Sequence, residues 1–296
     1  MASVQHPRPL RSPYHYTPTE GVAITFIVLF SISTLIHTGQ SIRSRIWWLF
    51  PTACLCGILE VLGWVARLWS SFNVTAKQPF EMQITATIIA PTPFVAANFI
   101  ILGMIIDRLG PQYSRLSSAM YARIFLTCDI ISLVVQGVGG GMAASAFGRN
   151  MDPAMGGHIM LGGIAFQLTT ISVYTLLASE FFFRYFRDRP IRPATVEKFH
   201  AEGIDTRTII VTTGLIFSTI CLLIRAVYRT IELSDGWSGR IISTQVYFNV
   251  LDGGMITLAM FTLNLAHPGL LPALRAERKV VSKDGDSSTT EVDKAA

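Results

Sequence analysis

Residues 21–42 read GVAITFIVLFSISTLIHTGQSI, a run with no charge unless His37 takes a proton, and residues 208–224 read TIIVTTGLIFSTICLLI with none at all. At ~1.5 Å of rise per residue, a helical run near 20 residues crosses a hydrocarbon core ~30 Å thick. Outward from these two blocks, five more of similar character can be marked. The spacing gives seven spans: 21–42, 46–66, 84–106, 124–146, 156–179, 208–228 and 241–265. The expected fold is an all-α, polytopic seven-transmembrane-helix bundle. Only 15% of residues are charged, against ~25% in soluble domains. That excludes an ordinary soluble enzyme and a disordered chain.

Residues 1–20 form a polar tail expected outside the cell, 21–269 the transmembrane domain, and 270–296 a charged, Ser/Thr-rich cytosolic tail expected to be disordered. The first apolar block is too long for a cleavable signal and is expected to stay as an anchor. Of the 24 Lys and Arg, sixteen fall in one set of loops. Seven fall in the other: Arg8, Arg11, Arg67, Lys77, Arg149, Arg229 and Arg240. Arg225 lies inside span 6. Positive residues favour the cytosolic side, so the N-terminus is expected out and the C-terminus in. Asn73-Val-Thr75, a possible glycosylation site, falls in an outer loop on this topology. The longest loop, Glu180 to Arg207, reads as a solvated cytosolic linker. The net charge of +5 is explained by topology and anionic headgroups, without a nucleic-acid partner.

A charge at the bilayer centre costs ~2.5–3.5 kcal/mol even on insertion scales. Span 2 nevertheless carries Glu60, with Gly63, Trp64 and Arg67 on the same helical face. Span 4 carries Asp129 with Ser132 and Gln136, span 6 carries Arg225 within a turn of the outer surface, and span 7 carries Asp252 near its midpoint with Gln245 two turns earlier. These side chains are expected to face the interior. Two readings stand side by side. One is a paired network that fixes helix register, joining Arg225 to Glu60 or Gln245 and Asp129 to amides. The other is a polar cavity that holds the headgroup of an amphiphile or relays a proton. Gly137-x-x-x-Gly141 is expected to let helices approach closely, and Pro91 and Pro93 to kink span 3.

Several chemistries are excluded. The six His and four Cys show no metal-site spacing, and no Gly-x-x-x-x-Gly-Lys-Ser/Thr or Gly-x-Ser-x-Gly occurs. No metal, cofactor or ATP site is expected, and no catalytic constellation marks an enzyme.

The ordered motifs carry a resemblance. Glu60-Val-Leu-Gly63-Trp64-Val-Ala-Arg67, Ala90-Pro91-x-x-Phe94-x-Ala96-Ala97, Asp129-x-x-Ser132-x-x-x-Gln136-x-x-Gly139-Gly140-Gly141, Gly163-x-x-x-Gln167, Arg225-x-x-Tyr228-Arg229-x-x-Glu232, then Asp252 and His267-Pro268-Gly269 follow in sequence. The set resembles the fungal lipid-translocating exporter family, the RTA-like seven-span proteins linked to aminocholesterol resistance and sphingoid-base export. Departures are Met104, Gln245 and Asn249, where the family usually has Arg, Glu and Tyr. The resemblance implies a transporter, exporter or translocation factor for amphipathic lipids or lipid-like toxic compounds, sited in the plasma membrane or else an endomembrane. Its partners would be membrane lipids and an amphipathic small molecule. Glu60, Asp129, Gln136, Gln167, Arg225 and Asp252 are the site candidates. The alternative is a seven-span receptor or stress-signalling protein that alters lipid asymmetry indirectly.

Overall fold

The computed structural model describes residues 14, 16–148, 151–192, 205–236 and 239–271. These residues form helices and turns, with no strand among them. Seven helical stretches are long and apolar enough to cross a membrane. Lipid offers the backbone no hydrogen-bond partner, so each apolar run must close its own ladder as a helix. Several hydroxyls inside the spans are satisfied the same way. Thr34, Thr38 and Ser41 each donate to the carbonyl four residues earlier, at 2.6, 2.8 and 2.6 Å.

The order is α1 (Glu20–Ser44), α2 (Leu55–Phe72), α3 (Lys77–Ile89), α4 (Pro91–Leu109), α5 (Ser118–Gly148), α6 (Ala154–Phe186), α7 (Thr206–Ser234), α8 (Gln245–Phe248) and α9 (Met255–Leu265). A π-helical segment, Phe50–Cys54, leads into α2, and a second, Asn249–Gly254, joins α8 to α9. α3 and α4 together make the third span, broken at Ala90 because Pro91 has no N–H to donate. Neighbours in sequence pack side by side, α9 returns to α1, and α4 also touches α2 and α7 across the bundle. The third span is accordingly the most buried, 72% against 22% for α1. Phe94, Phe99, Ile101, Leu102 and Ile105 on α4 anchor the core, with Tyr174 stacked edge-on to Phe99.

Several helices outrun their apolar blocks. α7 continues to Ser234, so Arg225 lies nine residues inside its end, ~13 Å deep rather than within a turn of the surface. Arg67 and Arg229, assigned to loops by sequence, are buried within α2 and α7. Glu180 belongs to α6, where it binds Arg115 at 2.7 Å and Arg184 at 2.8 Å, so the long linker begins after Phe186. Residues 193–204 of that linker, most of the N-terminal tail and the tail after Leu271 lie outside the described residues.

The close helix approach is displaced from the expected glycine pair. Gly137 and Gly141 have open space around them. A Cβ on Gly139 would instead stand 2.4 Å from the Met160 nitrogen and 2.7 Å from the Gly156 carbonyl oxygen. The face of α5 that meets α6 is set by the Ser132–Gln136 stripe, and Gly139 lies on that stripe.

Candidate functional site

Glu60, Asp129 and Asp252 are all buried, at 1%, 1% and 2% exposure. They do not form one cluster of carboxylates. Asp252 sits in the π segment between α8 and α9, where Gly253 lets the Trp64 ring pack against the backbone. Helix α8 starts at Gln245, so Asp252 is ~10 Å from that end of the bundle and not at the middle of its span.

Two arginines from α7 converge on Asp252. Arg225 Nε lies 2.7 Å from Oδ1. Arg229 binds both oxygens, Nε donating to Oδ1 at 3.1 Å and Nη2 to Oδ2 at 2.8 Å. The remaining guanidinium groups are also engaged. Arg225 Nη2 donates to the Thr87 carbonyl at 2.7 Å, and Arg229 Nη2 to the Thr87 hydroxyl at 3.1 Å. Arg229 Nη1 donates to Glu232 Oε2 at 2.8 Å, and Tyr228 donates its hydroxyl proton to Glu232 Oε1 at 2.7 Å. Arg225 therefore pairs with Asp252, and not with Gln245, whose Oε1 accepts from Thr19 at 3.1 Å. Glu60 lies within electrostatic reach of Arg225, Arg229 and Asp252. Its Oε1 has no hydrogen-bond partner. Removing one member of such a buried pair typically costs ~3–5 kcal/mol, because the partner charge is stranded.

Asp129 stands apart on α5. Neither of its oxygens has a hydrogen-bond partner, so the expected pairing with amides does not form. The amides bind each other instead. Gln136 Nε2 donates to Ser132 Oγ at 2.7 Å and to Gln167 Oε1 at 3.1 Å, and Gln167 Nε2 reaches Thr92 Oγ1 at 3.4 Å. A small cavity of about 10 Å³ joins Gln136 and Gln167 to Arg225 and Arg229.

A second cavity, about 40 Å³, lies between Arg67, Gln83, Arg229 and Glu232. Both cavities suit water, and neither admits a lipid headgroup. Arg67 forms the far wall of the larger one. It is 1% exposed and donates to Tyr16 OH at 2.7 Å and Gln83 Oε1 at 3.2 Å. Phe248, Tyr14, Tyr16 and Trp64 surround its guanidinium at 4.5–5.6 Å, within cation–π range. Among the described residues it pairs with no carboxylate.

Sequence reasoning kept Arg229, Glu232 and Arg67 out of the site candidates because they fall beyond the apolar blocks. The motif Arg225-x-x-Tyr228-Arg229-x-x-Glu232 was the signal. Its i, i+3, i+4 and i+7 spacing puts all four on one helical face.

A seven-span helical bundle with a charge cluster closed inside it is an integral membrane protein with a polar interior. The sequence model of the family described as RTA1 like protein matches residues 53–274, and the chain belongs to that family. It is 32% identical over 271 residues to the sphingoid long-chain base transporter RSB1 of Saccharomyces cerevisiae (strain ATCC 204508 / S288c), covering 83% of this chain and 70% of that protein. Protein RTM1 of Saccharomyces cerevisiae is 25% identical, with 83% of this chain and 88% of the relative covered. Protoporphyrin uptake protein 1 of Saccharomyces cerevisiae (strain ATCC 204508 / S288c) is 24% identical, with coverage of 85% and 90%. No solved structure matches the chain.

Proposed function

We propose that the chain is a membrane transporter for amphipathic lipids or lipid-like toxic compounds, with sphingoid bases and aminosterols as the substrate class. The observation that carries this reading is the Arg225–Arg229–Asp252–Glu232 cluster, which joins α7 to a π-helical turn within the seventh span. Apolar packing would stabilise a purely architectural bundle at least as well as buried ion pairs do. π turns inside helices recur at functional sites, where they mark places that rearrange. The cluster acts as a closed gate between α7 and α9. Glu60 and Asp129, each with an unpartnered oxygen, are the carboxylates that receive a substrate amine or a proton when the gate opens. Gln136 and Gln167 supply neutral hydrogen bonds. Kinship with a protein named as a long-chain base transporter supports the choice of substrate.

On this reading the protein works in the plasma membrane, N-terminus out. It makes and breaks no covalent bond, and substrate or ion gradients drive it. Asn73, exposed at the α2–α3 turn, would then be open to glycosylation. The test is flux of a fluorescent long-chain base across liposomes holding the purified chain. Flux above protein-free liposomes is expected. Binding without any flux would favour the receptor reading.

A further inference from the structure

An apolar groove of about 700 Å³ opens toward the lipid between α7 and the α8–α9 span. Val227 and Ile231 from α7 and Ile241, Tyr247 and Leu251 from the facing segment line it. At its mouth stand Asp235 and Arg240, both exposed. Asp235 Oδ2 accepts the Ile241 N–H at 3.1 Å. Among the described residues its other oxygen takes no hydrogen bond, and Arg240 makes no ion pair. An acid and a base thus stand at one end of an apolar trough.

The groove backs directly onto the charge cluster. Tyr228 lines the groove while its chain neighbour Arg229 binds Asp252. Leu251 lines the groove while its neighbour Asp252 receives that bond. Tyr228 also donates its hydroxyl proton to Glu232, inside the cluster. The trough and the cluster are therefore two sides of the same pair of backbone segments. One of these is the π turn, a departure from α-helical register of the kind frequent at functional sites.

We propose that this groove is the binding site for the hydrocarbon chain of a single-chain amino-alcohol amphiphile. Its ammonium lies on Asp235 and its hydroxyls accept from Arg240. The chain presses on Leu251 and Tyr228, and displacement of those two side chains loosens the Arg229–Asp252 contact. The inference deepens the transport reading and rests on it for the substrate class. Charge complementarity selects the occupant. A diacyl phosphatidylcholine, by contrast, carries a quaternary ammonium with no N–H to donate to Asp235.

The test is photolabelling of the whole chain in phosphatidylcholine nanodiscs by a diazirine-bearing long-chain amino alcohol, with cross-linked peptides mapped. A diazirine-bearing diacyl phosphatidylcholine serves as control. The amino alcohol is expected to label the 223–231 and 241–251 stretches, and an unlabelled long-chain base to compete. Val227→Trp, which fills the trough, and Asp235→Asn, at the exposed mouth, are each expected to cut that labelling about tenfold, the ratio for ~1.4 kcal/mol of lost affinity. Leu176→Trp, on the lipid-facing side of α6, should leave it unchanged. Labelling spread over all lipid-facing helices, equal for both probes and indifferent to Asp235→Asn, would mean bulk lipid contact only and overturn the proposal. Flux measured in liposomes separates the two claims. Flux without groove labelling sinks the groove and leaves transport standing. Groove labelling without flux does the reverse.

Discussion

Arg229 grips Asp252 with two parallel contacts, Nε to Oδ1 at 3.1 Å and Nη2 to Oδ2 at 2.8 Å, and both side chains are shielded from solvent. A fork-to-carboxylate pairing of this kind is directional as well as charged. It ties α7 to the π turn at Asn249–Gly254, and Arg225 adds a third contact to the same carboxylate. Separating α7 from the π turn breaks this joint.

The joint predicts a contrast between two carboxyls. Asp252→Asn strands two guanidinium groups and is expected to cost about 3–5 kcal/mol, lowering Tm and membrane abundance. Asp129→Asn removes no hydrogen bond, since neither oxygen has one. It should leave abundance and Tm near wild type while reducing long-chain base flux. Thermal melting in detergent and flux in liposomes, read on the same preparations, check both. Normal flux in Asp129→Asn at normal abundance removes Asp129 from the site.

Tyr16→Phe deletes a 2.7 Å hydrogen bond to a charged donor. Such bonds are worth about 1.5–3 kcal/mol, so Tm should fall while the ring keeps its place beside Arg67. Arg67→Lys should cost at least as much. An ammonium cannot reach Tyr16 and Gln83 together in the planar geometry that a guanidinium offers. A Tm unchanged in both variants would show that the aromatic cage does not depend on its cation.

At the α5–α6 contact, Gly139→Ala drives a methyl to 2.4 Å from a backbone nitrogen. Overpacking of this sort costs about 1–3 kcal/mol. Gly137→Ala meets open space and should be neutral in packing, with a small gain in helix propensity. The two melting curves, side by side, test which glycine sets the helix spacing.

Topology follows from the loops. With Arg67 and Arg229 buried in helices rather than exposed in loops, the set of loops expected outside carries still fewer basic residues than the sequence count gave. A C-terminal tag should be reached by antibody only after cells are permeabilised, and an N-terminal tag without it. The opposite pattern would invert every inside and outside assignment.

The apolar blocks alone determined that the chain crosses a membrane seven times as helices, because lipid leaves the backbone no other way to satisfy its hydrogen bonds. They also determined that Glu60, Asp129, Arg225 and Asp252 face inward, because lipid exposure of a charge is costly. Both are properties of one helix against its solvent. Which charges meet was decided by the tertiary structure. Arg225 could have reached Glu60 or Gln245 as far as spacing goes, and it pairs with Asp252, which lies in the π turn packed against α7. Arg229 and Arg67 looked like loop residues because apolarity ends before they do. They remain inside because a carboxylate pair in one case, and Tyr16, Gln83 and four aromatic rings in the other, replace the water they would otherwise need. Partners of that kind come from helices distant in the chain, and their register and rotation are fixed only when the bundle packs.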